Sequence, residues 1–306
     1  MNPLIANMFR LESTSFLRCA LRTKLAVVCL LLAACAAPAR IDLNAQALAA
    51  SLARRPVVLL GEVHDNTAQH AARAAALRQW VQSGARPALA FEQFDRERQA
   101  DIDRARRETP PAGTSRSQHL IAQASPQRSG WDWALYRPYL DLALEYELPI
   151  VAANLSRTDA SRVASQGFAA VFDAATIGAL GLDALTPAAV RAQQRAIDEG
   201  HCKQLPAEMV VRLARSQTAR DAALALAIAP HAEHGVVLLT GNGHVRKDIG
   251  VPIFLSAAQR ARTVTIGLLE DQGATPEWHA RFDVAFVTPT QPRPDPCVGF
   301  KKLATP

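Results

Sequence analysis

The stretch VVLLGEVHDNTAQH, residues 57–70, decides how this chain is read. It opens on four consecutive apolar residues, Val57 to Leu60, and a run this short that ends at a glycine suits a strand buried on both faces. Glu62, His64 and Asp65 follow at once, and from Asn66 onward the composition turns helical. A buried strand that ends in a carboxylate and an imidazole before a helix begins is a βα unit with its polar groups at the carboxyl end. Open parallel sheets bind ligands at that end. The spacing of two also puts Glu62 and His64 on the same side of an extended segment.

Working outward, short apolar runs recur at 86–94 (RPALAFEQF), 148–155 (LPIVAANL), 235–243 (GVVLLTGNG), 262–269 (RTVTIGLL) and 282–288 (FDVAFVT). Longer helical stretches separate them, at 66–83, 96–108, 132–147, 186–200 and 206–231. The alternation predicts an α/β fold: a central, mostly parallel sheet flanked by helices, with a helical insertion from 166 to 231 before the fourth of these strands. At 306 residues, 49% hydrophobic and 20% charged, the chain is long and apolar enough to bury such a core.

The ends of the runs nominate a site. Glu62 and His64 close the first, Glu92 the second, and Asn242 and His244 follow the fourth, where Gly241 and Gly243 are expected to permit an unusual backbone turn. Two carboxylates and two imidazoles on one rim suit either a divalent metal with an open position for water or general acid–base catalysis. Asn154 and Arg157, after the third run, are candidate supporting residues. No dinucleotide or phosphate-loop glycine pattern follows the first strand, and G-x-S-x-G is absent from the sequence. Four aromatics in nine residues, Trp131, Trp133, Tyr136 and Tyr139, read first as core packing. Their alternative is a flat apolar surface for a planar ligand, with Tyr136 or Tyr139 offering an oxygen to iron. His70, His119 and His279 read as plain surface residues and His231 and His234 as structural, while Arg220 and Asp221 complete the candidates, with an ordinary exposed helix pair as their alternative reading.

Both ends of the chain carry separate signals. Arg18, Arg22 and Lys24 precede LAVVCLLLAAC, a short apolar core with the shape of an export signal; its ending resembles a lipobox, with Cys35 as the lipidated first residue. The expected organisation is a signal peptide at 1–34, a lipidated tether at 35–53, an α/β domain at 54–290 and a Pro-rich tail at 291–306. Loss of Arg10, Arg18, Arg22, Lys24 and Glu12 with the signal lowers the net charge from +6 to +3. No clustered basic stripe interleaved with aromatics remains, so nucleic acid is not an expected partner. Of the five cysteines, Cys202 and Cys297 are left to form a disulfide or to stay as free thiols.

Taken together, LLGEVHDNTAQH, ALAFEQF, GWDWALYRPYL, VAANLSR, GHCKQLP, QTARD and LTGNGHVRKDIGVP resemble the ChaN-like family of bacterial lipoproteins. That family shares a superfamily with the Tiki metalloproteases, the erythromycin esterases and TraB-type proteins. The resemblance runs from about residue 54 to 270. It implies an α/β fold, haem as ligand in iron acquisition and lipid anchoring in the cell envelope, with a second copy and an outer-membrane haem receptor as candidate partners. It also implies that Glu62, His64, Glu92 and His244 occupy the superfamily's shared site, which in the protease branch holds a divalent metal. Alanine after Cys35 points to the outer membrane. Two functions therefore stand open, a haem-binding lipoprotein and a divalent-metal-dependent hydrolase.

Overall fold

A computed structural model of the chain describes residues 41–125, 130–295 and 297–298. Seven strands form one sheet: β1 (Ile41–Asp42), β2 (Val57–Leu60), β3 (Ala88–Asp95), β4 (Ile150–Asn154), β5 (Val236–Leu239), β6 (Thr263–Glu270) and β7 (Val284–Thr288). Their order is β1-β7-β6-β2-β5-β3-β4, and every pair is parallel. The six apolar runs are the six long strands. β1 is an addition, two exposed residues paired with Phe286 and Val287 at the edge.

β2 and β5 are buried at all four positions, which is why their sequences do not alternate. One layer of helices covers each face. On one side Leu60, Leu77, Phe91, Leu140 and Phe286 share a core; on the other Leu59, Ala90, Ala222, Leu224 and Leu238 share a second. The first layer includes α1 (Ala45–Leu52), α2 (Thr67–Gln82), α3 (Gln99–Arg107), α4 (Arg116–Ala124) and α5 (Trp133–Glu145). The insertion lies between β4 and β5 and holds α6 (Arg157–Gln166), α7 (Ala174–Leu180), α8 (Pro187–Gly200) and the long α9 (Ala207–Ile228). Three short helices complete the described set: α10 (Asn242–Val245), α11 (Ala257–Ala261) and α12 (Pro276–Ala280).

The residues just before 54 are part of the packed body, because α1 inserts Leu48 and Leu52, both 0% exposed, into the core. The segment expected to be a tether is therefore structural from residue 41 onward, while Cys35 and the export signal lie outside the described residues. The Pro-rich tail is fastened to the body. Cys202 and Cys297 form a disulfide across a Cα–Cα distance of 5.7 Å. Before it, Arg293 pairs with Asp65 and Glu270 at 2.8 and 2.7 Å, and Gln291 donates to the Asp65 carbonyl at 2.6 Å.

Candidate functional site at the carboxyl ends of the strands

Because all strands run one way, Glu62, Glu92 and Gly241 reach the same end of the sheet through β2, β3 and β5. Gly61 and Gly241 are fixed by close approach, and Gly241 makes no unusual turn, with φ −70° and ψ 155°; Gly243 has open space around it. A Cβ on Gly241 would fall 2.8 Å from the His64 ring, and one on Gly61 would fall 2.5 Å from Asn242 Oδ1. Asn242 acts as a splice between elements. Its side-chain amide donates to the Leu268 carbonyl at 2.5 Å and accepts from the Leu268 N–H at 3.0 Å, while its own N–H donates to Glu62 O at 2.9 Å.

The four rim residues separate into two clusters. In the first, Glu62 is buried and ion-paired with the equally buried Arg73 of α2. It accepts a hydrogen bond from Tyr136 Oη at 2.6 Å, and His70 Nε2 lies 3.3 Å away. Its other neighbour, His64 Nδ1, is 3.1 Å from Glu62 Oε1, and the His64 side chain is 46% exposed. His64 also meets Trp131 edge-on, with ring centroids 4.9 Å apart.

His70 is thus a buried member of the site, not the surface residue its helical setting suggested. Nε2 lies 3.0 Å from the His64 carbonyl, which can only accept, so that nitrogen carries the proton and Nδ1 faces the Tyr139 hydroxyl at 3.1 Å. Burial lowers its pKa and keeps it neutral. The two tyrosines are buried beside it. Tyr136 and Tyr139 are 1% and 0% exposed, their hydroxyls are held by Glu62 and by the His70 carbonyl, and burial raises both phenol pKa values. An iron ligand from either would have to break those bonds first. His119, too, is buried and bonded, to Glu108 at 2.8 Å.

The second cluster is closed. Glu92 accepts from Thr240 Oγ1 at 2.6 Å and from the Gly241 N–H at 2.9 Å, and faces His244 Nε2 at 3.4 Å. His244 Nδ1 bonds Asp221 at 2.6 Å, and the Gln217 amide lies 2.9 Å from Nε2. Asp221 is 1% exposed, so it faces the core and not the surface of α9. Burial alone would strip the proton from His244, but Glu92 and Asp221 outweigh it and push its pKa up to about 10. Burial likewise opposes the Glu92 carboxylate, and the His244 charge overrides it, leaving Glu92 well below the usual carboxylate range. Asp221, where burial dominates, is raised to about 6. Further along the rim, Arg220 donates to Asn154 Oδ1 at 2.8 Å and to the Leu155 carbonyl at 2.7 Å, and Arg157 is exposed at the start of α6. Asn154 and Arg157 therefore belong to the β3–β4 side of the rim, away from His64.

These donors do not fit a divalent metal. Glu62 is neutralised by Arg73, His244 is engaged by Glu92 on one side and Asp221 on the other, and no three His, Cys, Asp or Glu side chains among the described residues form a ligating group. What opens to solvent is a cleft of about 560 Å³ that touches both clusters, lined by Glu62 and His64 of the first, Gln217 and the edge of the largely buried His244 of the second, and Leu269, Trp278 and Arg293. Within it, Glu270 is held down to about 2, first by its hydrogen bond from Arg293.

The missed residues were Arg73, His70 and Gln69 on α2 and Gln217 on α9. One signal could have found those on α2: positions 69, 70 and 73 share a helix face with the apolar Ala76 and Leu77, so the polar members face inward.

No curated protein matches the chain. Among solved structures, cofacial haem-bound ChaN of Campylobacter jejuni is similar, at 19% identity over 72% of this chain and 84% of that one, with a TM-score of 0.58. An erythromycin esterase mutant in its open conformation matches at 14% identity over 73% and 72%, and a succinoglycan biosynthesis protein at 12% over 74% and 68%; their TM-scores of 0.40 and 0.37 are too low to bear on this chain. The family described as haem-binding uptake, Tiki superfamily, ChaN matches residues 48–255, the span that contains both clusters, and this chain belongs to it.

Proposed function

We propose that this protein binds haem, with the strand-end cleft as the receiving surface and His64 as the iron donor. Membership in a haem-binding family is the observation that carries the reading. The geometry supports it: His64 is half exposed, whereas Glu62, Glu92 and His244 are buried, and a buried carboxylate 3.1 Å from Nδ1 fixes the orientation of the ring. Leu269 and Trp278 supply apolar wall to a cleft of about 560 Å³. The test is a haemin titration followed by absorbance. Saturable binding with a shifted haem band, lost in His64→Ala and kept in Tyr136→Phe and Tyr139→Phe, is expected; a shift kept in His64→Ala and lost in Tyr139→Phe would return the role to tyrosine.

Placement in the cell envelope, in the outer membrane through lipid on Cys35, belongs to the same reading and rests on the lipobox. Incorporation of labelled palmitate that persists in Cys35→Ser would refute it. A second copy and an outer-membrane haem receptor complete the proposed route; sedimentation unchanged by haemin would remove the dimer. A second reading is favoured by one observation, the Glu62–His64 pair at the mouth of the cleft, which is the geometry of a carboxylate-oriented general base for ester or peptide hydrolysis. It replaces the metal-dependent form, which the donor set does not suit. Hydrolysis of any ester or peptide panel member that survives His64→Ala would exclude this role.

A further inference from the structure

A second cleft, of about 780 Å³, lies at the opposite end of the sheet. Its walls come from the residues just before β2 (Arg54, Arg55), the loop after α10 (Lys247), α11 (Arg260), the start of β6 (Thr263) and the residue before β7 (Asp283). The amino ends of three parallel strands therefore meet there, while His64 lies past their carboxyl ends; the eight residues of β6 alone span roughly 23 Å between the two.

Four cations line this cleft against one carboxylate. Asp283 is already used: it pairs with Lys247 at 3.2 Å and accepts from the Thr265 N–H and Oγ1 at 2.9 and 3.0 Å. Arg260 gives one guanidinium nitrogen to the Leu255 carbonyl and has no carboxylate partner among the described residues. Arg54 and Arg55 are exposed, and neither side chain has a hydrogen-bond or ionic partner among the described residues. Three arginine forks from two separate elements surround one concavity with uncompensated charge. A planar carboxylate presents two acceptors in one plane, but a phosphate presents three or more around a tetrahedron and can take donors from several sides.

We infer that this basic cleft is a binding site for a phosphate-bearing ligand, either a phosphorylated small molecule or the phosphate of a lipid headgroup. It is independent of the haem reading, since it shares no lining residue with the strand-end cleft. Its size exceeds what inorganic phosphate fills, so more of the ligand than its phosphate is accommodated.

The experiment uses the full chain with two probes: pyrophosphate by titration calorimetry, and flotation with phosphatidylglycerol vesicles against neutral phosphatidylcholine vesicles, which register insertion by the amino-terminal apolar segment. Saturable pyrophosphate binding, or preference for the anionic vesicles, is expected in low salt and weakens as salt rises. The pair of probes assigns the source: pyrophosphate binding identifies a soluble phosphate site, and vesicle preference without it identifies a headgroup site. The triple variant Arg54→Gln, Arg55→Gln, Arg260→Gln is expected to lose on the order of tenfold or more in affinity while its haemin titration stays that of the parent, which also reports that it is folded. Absence of both interactions, or binding that persists in the folded triple variant, overturns the proposal.

Discussion

The two halves of the rim are built from the same residue types and end in opposite states. Each has a glutamate at the end of a central strand and a histidine close by, yet the Glu62 half leaves its imidazole 46% exposed and the Glu92 half encloses its own at 5%. The difference lies in what neutralises the carboxylate. Glu62 finds its counter-charge in Arg73, beneath it, so His64 need not carry one and stands free at the surface. Glu92 has no such arginine within bonding distance, and His244 must itself be the cation, with Asp221 holding its far side. One histidine is left available for a ligand because a helix residue has taken its electrostatic role.

The largest effect is expected from removing that arginine. Arg73→Met leaves a buried carboxylate uncompensated and should cost about 3–5 kcal/mol in denaturant unfolding; a loss below about 1 kcal/mol would show that His64 or His70 can substitute and would erase the distinction between the halves. Next is the disulfide-bonded tail, whose Arg293 and Gln291 hold Asp65 beside His64. Cys297→Ser opens a disulfide with a sequence separation of 95 and should lower stability by about 2–4 kcal/mol; thiol counts equal with and without reductant would refute the bond itself.

A ligand readout sharpens the comparison further. Glu62→Gln should weaken haemin binding about 10–100-fold, as loss of a carboxylate behind a ligating histidine does, whereas Asp221→Asn should leave haemin binding unchanged. An equal loss in both would mean that the closed cluster also meets the ligand. The pH dependence should divide the halves as well. His244 is raised from 6.5 to about 10, so the stability it contributes is complete below about pH 6.5 and is lost as pH rises toward 10. Glu92, depressed by the same partner, loses its contribution only as pH falls below the ordinary carboxylate range. Asp221, raised to about 6, favours the folded state at acid pH and so does not account for a decline above neutrality. Unfolding free energy should therefore fall between pH 6.5 and 10, and His244→Gln should flatten the curve; an unflattened curve would place the titration elsewhere. The smallest effect is Gly241→Ala. Its methyl would press on the His64 ring, which can swing outward, so we expect under about 1 kcal/mol of destabilisation with a displaced haem band.

What could be read from the sequence follows from how each element is stabilised. Strands such as Val57–Leu60 and Val236–Leu239 are buried on both faces and announce themselves as apolar runs. β1 has two residues, both exposed, and owes its existence to the edge of β7, so nothing local marks it. Glu62, His64, Glu92 and His244 were legible because they follow those runs directly. Arg73 and His70 were not, because a polar residue on a helix ordinarily faces water, and only the tertiary arrangement makes theirs the inward face. Tyr136 and Tyr139 were legible as a cluster but not in orientation, since an aromatic stripe serves a core and a binding surface equally well.

The bond between Cys202 and Cys297 has a consequence for how this protein would come apart. It closes a covalent ring that carries β5, β6 and β7, while β2, β3 and β4 lie outside it. In the sheet these strands are interleaved, with β2 between β6 and β5. A protease that cuts once in a loop between Cys202 and β7 produces two pieces that remain covalently joined and still alternate across one hydrogen-bonded sheet. Such a nick would be visible on a reducing gel and silent in the native fold.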